Sequence, residues 1–208
     1  MRKGPFISTL AAFTRIEEKT VQMYARELIN NGLFSTGARG VNAPHMTKSD
    51  LSNTLSALLV TNRPAHAPEL VRYFGAMQLS IPEAWRSSGT LPSDPDHTFS
   101  ELLECFCDPL NRIPSGILIN IIGTSSVEVC NQDVLDDNGE PLSFTYYSRE
   151  LMARLMDGEY SPLLDQRGIT RSSSIDAITI EHIKAKVFEG VDPAQDPHLS
   201  NSATSEEV

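Results

Sequence analysis

The sequence predicts an α+β chain, with helices in its first half and a strand pair in its second. Three observations predict it. Leu10 to Phe34 runs as a short helix, a tight turn and a second amphipathic helix closed by Gly32-Leu33. Gly116-Ile-Leu-Ile-Asn-Ile-Ile-Gly123 is rich in β-branched residues, as strands are. Asp136-Asp-Asn-Gly139 supplies a hairpin turn, because Asn-Gly tolerates positive φ, and Leu142 to Tyr147 returns from it.

Taken in order, Pro5 to Thr14 reads as the first helix, with Ile7, Leu10, Ala11 and Phe13 apolar. Pro5 stands near its first turn, where a missing N–H costs nothing. The two basic residues and short apolar run at the N-terminus are interrupted by Ser8 and Thr9 and lack a convincing cleavage site, so a helix is expected rather than a signal peptide. Arg15-Ile16 make the turn. Glu17 to Asn30 form the second helix, with Val21, Tyr24, Ala25, Leu28 and Ile29 on one buried stripe. Asn30-Asn31-Gly32 suits a left-handed cap, and Leu33-Phe34 is expected to start a short strand. Ser35 to Pro44 is a loop by composition. Thr47 to Val60 is the next helix, with Thr47 as N-cap, Asp50 three residues on, and Leu51, Leu55, Leu58 and Leu59 as its apolar face.

Another helix is expected from Ala67 to Leu79, with Leu70, Val71, Phe74 and Met77 inward. Ser80 to Asp96 carries Pro82, Gly89, Pro92 and Pro95 and reads as a linker. Phe99 to Cys107 reads as helix, and Ser126 to Cys130 extends or pairs with the strand before it. Ser148 to Met156 is expected to be a helix capped by Ser148, and Ile175 to Phe188 a strand followed by a helix. The stretch after Gly190 is polar and acidic and is expected to be disordered. The expected divisions are an N-terminal domain at 1–64, a helix and linker at 65–96, an α+β dimerisation or interaction domain at 97–190, and a disordered acidic tail at 191–208.

Hydrophobic residues make up 40% of the 208 and charged residues 21%, the balance of an ordinary globular protein. No apolar run approaches the ~20 residues of a membrane helix. A cytoplasmic protein without a membrane partner is therefore expected. Cys105, Cys107 and Cys130 are too few and odd in number for a disulfide framework. Cys105-Phe-Cys107 lacks the spacing of a structural zinc site, so all three are expected to be small, mostly buried residues. The net charge of −10 is unevenly spread. Residues 1–65 hold eight Lys and Arg against four Asp and Glu, a net of +4; residues 66–208 hold nine against twenty-three, a net of −14. A basic head on an acidic body is the pattern of a nucleic-acid binder.

A recognition helix needs an apolar face for the scaffold and a polar face for the major groove. On the second helix Lys19, Gln22 and Arg26 recur three or four residues apart on one face, with Met23 between them. Gln pairs bidentately with adenine, and Arg or Lys with guanine. Thr20 is placed to reach a phosphate, and Arg39 and Lys48 to contact the backbone or minor groove. Arg15, in the turn, completes the expected contact set.

Leu10-Ala11, Thr14, Ile16, Lys19-Thr20-Val21, Tyr24, Arg26-Glu27-Leu28 and Gly32-Leu33 together resemble the winged helix-turn-helix DNA-binding proteins, over about the first quarter of the chain. That resemblance implies an N-terminal winged helix-turn-helix followed by further helices and a small α+β region with a β-hairpin. It also implies that Ser35 to Thr47 is the wing and double-stranded DNA the partner. Glu17-Glu18 depart from the pattern by placing two negative charges where phosphates approach. A transcriptional regulator of a bacterium or bacteriophage is expected, acting as a homodimer or higher homo-oligomer. The arrangement of small head, oligomerising middle and acidic tail is also similar to the small terminase subunits of tailed bacteriophages, and winged helices serve elsewhere as protein–protein modules.

Catalytic patterns are missing from the sequence. There is no G-x-S-x-G, P-loop or H-E-x-x-H, and the five histidines are scattered. Gly37-x-x-Gly40 is too short to cradle a nucleotide, and the acidic residues around Asp136 are expected to be solvated. No enzyme activity, cofactor or metal is therefore expected.

Overall fold

The computed structural model describes residues 1–37, 44–80, 97–123, 126–136, 138–156 and 172–189. Arg39, most of the Ser80–Asp96 linker and the 191–208 tail lie outside the described residues, as does the middle of the expected wing.

The first helix, α1 (Lys3–Thr14), sinks Phe6, Ile7 and Leu10 into the core. The second, α2 (Glu18–Asn30), buries Val21, Tyr24, Ala25 and Leu28, the stripe its spacing predicts. Its end is the expected cap: Gly32 has φ 71°, the Leu33 amide donates to the Leu28 carbonyl and the Gly32 amide to that of Ile29. Leu33-Phe34 do not form a strand, contrary to expectation. Phe34 instead packs edge-on against Phe6 of α1, ring centres 5.8 Å apart, and among the described residues no strand pairs with it. The third helix, α3 (Lys48–Val60), begins on a complete capping box between Thr47 and Asp50. It buries Leu51, Leu55 and Leu59, but also Ser52, Thr54, Ser56 and Ala57, since neighbours pack on more than one side of it.

A short 3₁₀ turn (Pro64–His66) leads into α4 (Ala67–Gly75), which stops four residues before the expected Leu79. Gln78–Ser80 form β1 instead, because they find a partner in the sheet: Gln78 pairs with Tyr147 and Leu79 with Tyr146. That long-range ladder outweighs local helix propensity. Then come α5 (Phe99–Cys107), β2 (Ile117–Ile122), β3 (Ser126–Leu135), β4 (Pro141–Tyr147), α6 (Arg149–Met156), β5 (Ser172–Asp176) and α7 (Ala177–Val187). The β3–β4 turn has Gly139 at φ 80°, with the Asp136 amide donating to the Glu140 carbonyl.

All five strands run antiparallel in the order β1-β4-β3-β2-β5. Register places Ile119 beside Val129 and Ile175, and Ile121 beside Val127. These residues form the face that meets the helices. The alternate residues Asn120, Glu128, Ser143 and Thr145 share the opposite, wetter face. One buried cluster joins Phe6, Leu10 and Leu28 to Leu103, Ile119, Ile180 and Val187, so the N-terminal helices and the sheet share a core. The β2–β4 unit, which alone would need another surface to be stable, finds that surface inside the chain in β1 and β5. Of the cysteines, Cys107 is buried, Cys130 half-buried and Cys105 exposed, so the expectation that they are mostly buried fails at Cys105. Burial pushes the Cys130 thiol up to about 11, away from reactivity at neutral pH.

Candidate nucleic-acid interface

Three residues separate α1 from α2. The Thr14 hydroxyl donates to the Leu10 carbonyl, and Arg15 then turns into the left-handed region at φ 57°. That conformation costs a residue with a Cβ about 1 kcal/mol. It ends α1 abruptly and leaves the Arg15 side chain exposed. Glu17 then opens α2 by accepting the amides of Thr20 and Val21.

Lys19, Gln22, Met23 and Arg26 all project from α2 into solvent, as the spacing predicts, and Met23 is 56% exposed. Thr20 is half-buried on the flank. Their engagements differ. The Gln22 amide donates to Glu18 at 3.3 Å, and the Ser8 hydroxyl donates to the other oxygen of the same carboxylate at 3.1 Å. Glu18 is thereby drawn toward α1. Lys19, Arg26 and Arg15 enter no salt bridge among the described residues. The C-terminal end of α2 is held by Arg72 of α4, which donates to the Asn31 carbonyl at 2.6 Å.

Lys48 sits elsewhere. Its ammonium lies 2.9 Å from Asp108, whose side chain is 5% exposed, and this ion pair ties the start of α3 to the end of α5. The spacing of the sequence could not show a partner sixty residues away. Replacing Lys48 by Met should lower stability by about 2 kcal/mol, less than a fully buried pair because Lys48 keeps some solvent. Urea unfolding and duplex titration of the same sample would check it. Loss of DNA affinity without loss of stability would return Lys48 to the contact set.

The loop expected to be the wing is pinned at its base. Asp50 is 2% exposed. One carboxylate oxygen accepts the Ser35 amide at 2.6 Å, and the other accepts the Thr47 amide at 2.8 Å and its hydroxyl at 2.9 Å. Asn53 adds a bond to the Leu33 carbonyl. Gly37 and Pro44 touch so closely that a Cβ on Gly37 would lie 2.9 Å from the proline ring. The chain thus leaves and rejoins the body at one point, beside the C-terminal end of α2. Among the described residues no strand lies between α2 and α3.

No cluster of three or more metal-ligating side chains occurs among the described residues, and no helix there is long and apolar enough to cross a membrane. Compared with protein-family models, curated proteins and solved structures, the chain matches none.

Proposed function

We propose that the chain binds double-stranded DNA through the exposed face of α2, as a transcriptional regulator of a bacterium or bacteriophage that works as a dimer in the cytoplasm. The observation that carries this reading is the pair Lys19 and Arg26. They stand seven residues apart on one exposed face, about 10 Å along the helix axis, with no ion pair among the described residues. Arg15 adds a third exposed cation at the helix entrance. The +4 balance of the first 65 residues supports the same reading. The Asp50 clamp is compatible with it, since it ties Ser35, just after α2, to Thr47 at the start of α3.

The test is titration of the full chain with random-sequence duplex DNA at about 50 and about 200 mM salt, where two phosphate contacts predict a tenfold loss of affinity. Mass in solution, read on the same sample, tests the dimer. Salt-independent affinity, or none at the lower salt, would overturn the reading. One observation favours a protein partner as the second reading: Met23, the most exposed large apolar side chain of α2, stands in the middle of the face. That partner would bind with little salt dependence.

A further inference from the structure

The sheet has two edges, and they are finished differently. At β1, Gln78 bridges Thr98, and the Phe99 amide donates to the Met77 carbonyl at 2.9 Å, so the segment before α5 covers that strand. Among the described residues β5 has no such cover. The ladder determines which of its groups are left over. The Gln132 amide donates to the Gly116 carbonyl, so alternate residues of β2, Leu118 and Asn120 included, turn their backbone groups toward β3. Ile119 and Ile121 therefore face β5, where their partners are Ile175 and Ser173. Ser174 turns both its amide and its carbonyl outward, and Asp176 its amide. No described residue hydrogen-bonds these groups.

A groove of about 520 Å³ runs beside this edge. Ile16 of the α1–α2 turn and Leu55, Leu58 and Leu59 of α3 supply an apolar wall. Arg15 supplies the cation at its rim. The carboxylate of Asp176, the acidic side chain in the lining, is committed to the Thr179 amide at 2.6 Å as the cap of α7.

We infer that this groove takes an extended segment of a partner protein, added to the sheet as a strand beside β5, with apolar and acidic residues alternating. Unpaired edge groups recognise backbone, and pockets on alternate sides choose the side chains. The apolar wall accepts one set of side chains, and Arg15 attracts a carboxylate from the other. A second copy pairing its own β5 fits less well, because that strand offers Ser173 and Ser174 to the apolar wall and its Asp176 carboxylate is committed to the Thr179 amide. The added strand lies against Arg15 and Ile16, behind the α2 face. The inference does not rest on DNA binding.

The experiment adds a short peptide alternating valine and glutamate to the isotope-labelled full chain and follows every backbone amide. Saturable shifts and slowed exchange at Ser174 and Asp176 are expected. A peptide methylated on alternate backbone nitrogens should not bind. A valine–lysine peptide should bind about tenfold more weakly, equivalent to ~1.4 kcal/mol. Arg15→Glu, an exposed change, should reverse the preference between the two peptides. Shifts confined to other strands, binding that survives methylation, or no binding to the full chain would each overturn the inference. The last result includes the case in which residues 190–208 already fill the groove.

Discussion

Replacing Lys19 and Arg26 together by alanine should lower affinity for random duplex DNA by about a hundredfold at low salt and leave the fold unchanged. Each side chain is exposed and enters no described salt bridge, so neither holds the core together. A charge-assisted bond to phosphate is worth about 1.5 kcal/mol, and two of them multiply to roughly that loss. Each phosphate contact also contributes ~0.9 to the slope of log affinity against log salt, so the slope should flatten by nearly two units. The pair of readouts separates explanations. A changed affinity with an unchanged slope means the face binds something other than phosphate. Wild-type values for both place the DNA contact off α2. Met23→Ala should leave the slope untouched, because it removes no charge.

The largest stability loss is expected at Lys184. Its side chain is buried to 4% exposure, yet its ammonium is fully engaged. It donates to the Asn111 carbonyl at 2.5 Å, to Glu181 at 2.8 Å and to the Phe106 carbonyl at 3.3 Å. Glu181 in turn accepts the Ile113 amide at 2.8 Å. Together the two residues fasten the segment after α5 to α7. Met has the length of Lys without its donors, so Lys184→Met leaves two carbonyls and a carboxylate without their partner. Breaking a buried pair costs ~3–5 kcal/mol, and the lower end applies because Glu181 keeps a third of its side chain in solvent. For a chain of this size about 3 kcal/mol lowers the melting temperature by roughly 6–12 °C. Lys186→Met, two residues on and exposed, should leave the midpoint where it is. An equal shift in both variants would mean that helix propensity, not the buried network, is being read.

What was legible in the sequence was local. The 3/4 spacing placed the buried stripe of α2 correctly, and Thr47 with Asp50 announced the start of α3. Asn138-Gly139 announced the β3–β4 turn. Thr98-Phe-Ser-Glu101 is a second complete capping box, and its Thr-x-x-Glu pattern is equally legible in the sequence. The misses were non-local. Gln78 became a strand because Tyr147, far along the chain, was there to pair with it. The pairing of Lys48 with Asp108, sixty residues on, was likewise out of reach of local spacing. Gln22 kept its exposure but spends its amide on Glu18. Asp50 was read as a helix cap, which it is; that it also grips Ser35 required the fold.

The position of α7 has a consequence for how the molecule comes into being. Ile180, Ile183 and Val187 are fully enclosed, and α7 packs on both α1 and α5. The last described helix to be synthesised therefore completes the core around one of the first. At ~5–20 residues per second, α1 waits roughly 10–35 s for that partner. Until then the side of α1 that meets α7 is transiently exposed apolar surface, the kind that promotes aggregation. A chain released before residue 172 lacks both the edge strand and the closing helix, and such fragments are natural substrates for cellular proteases.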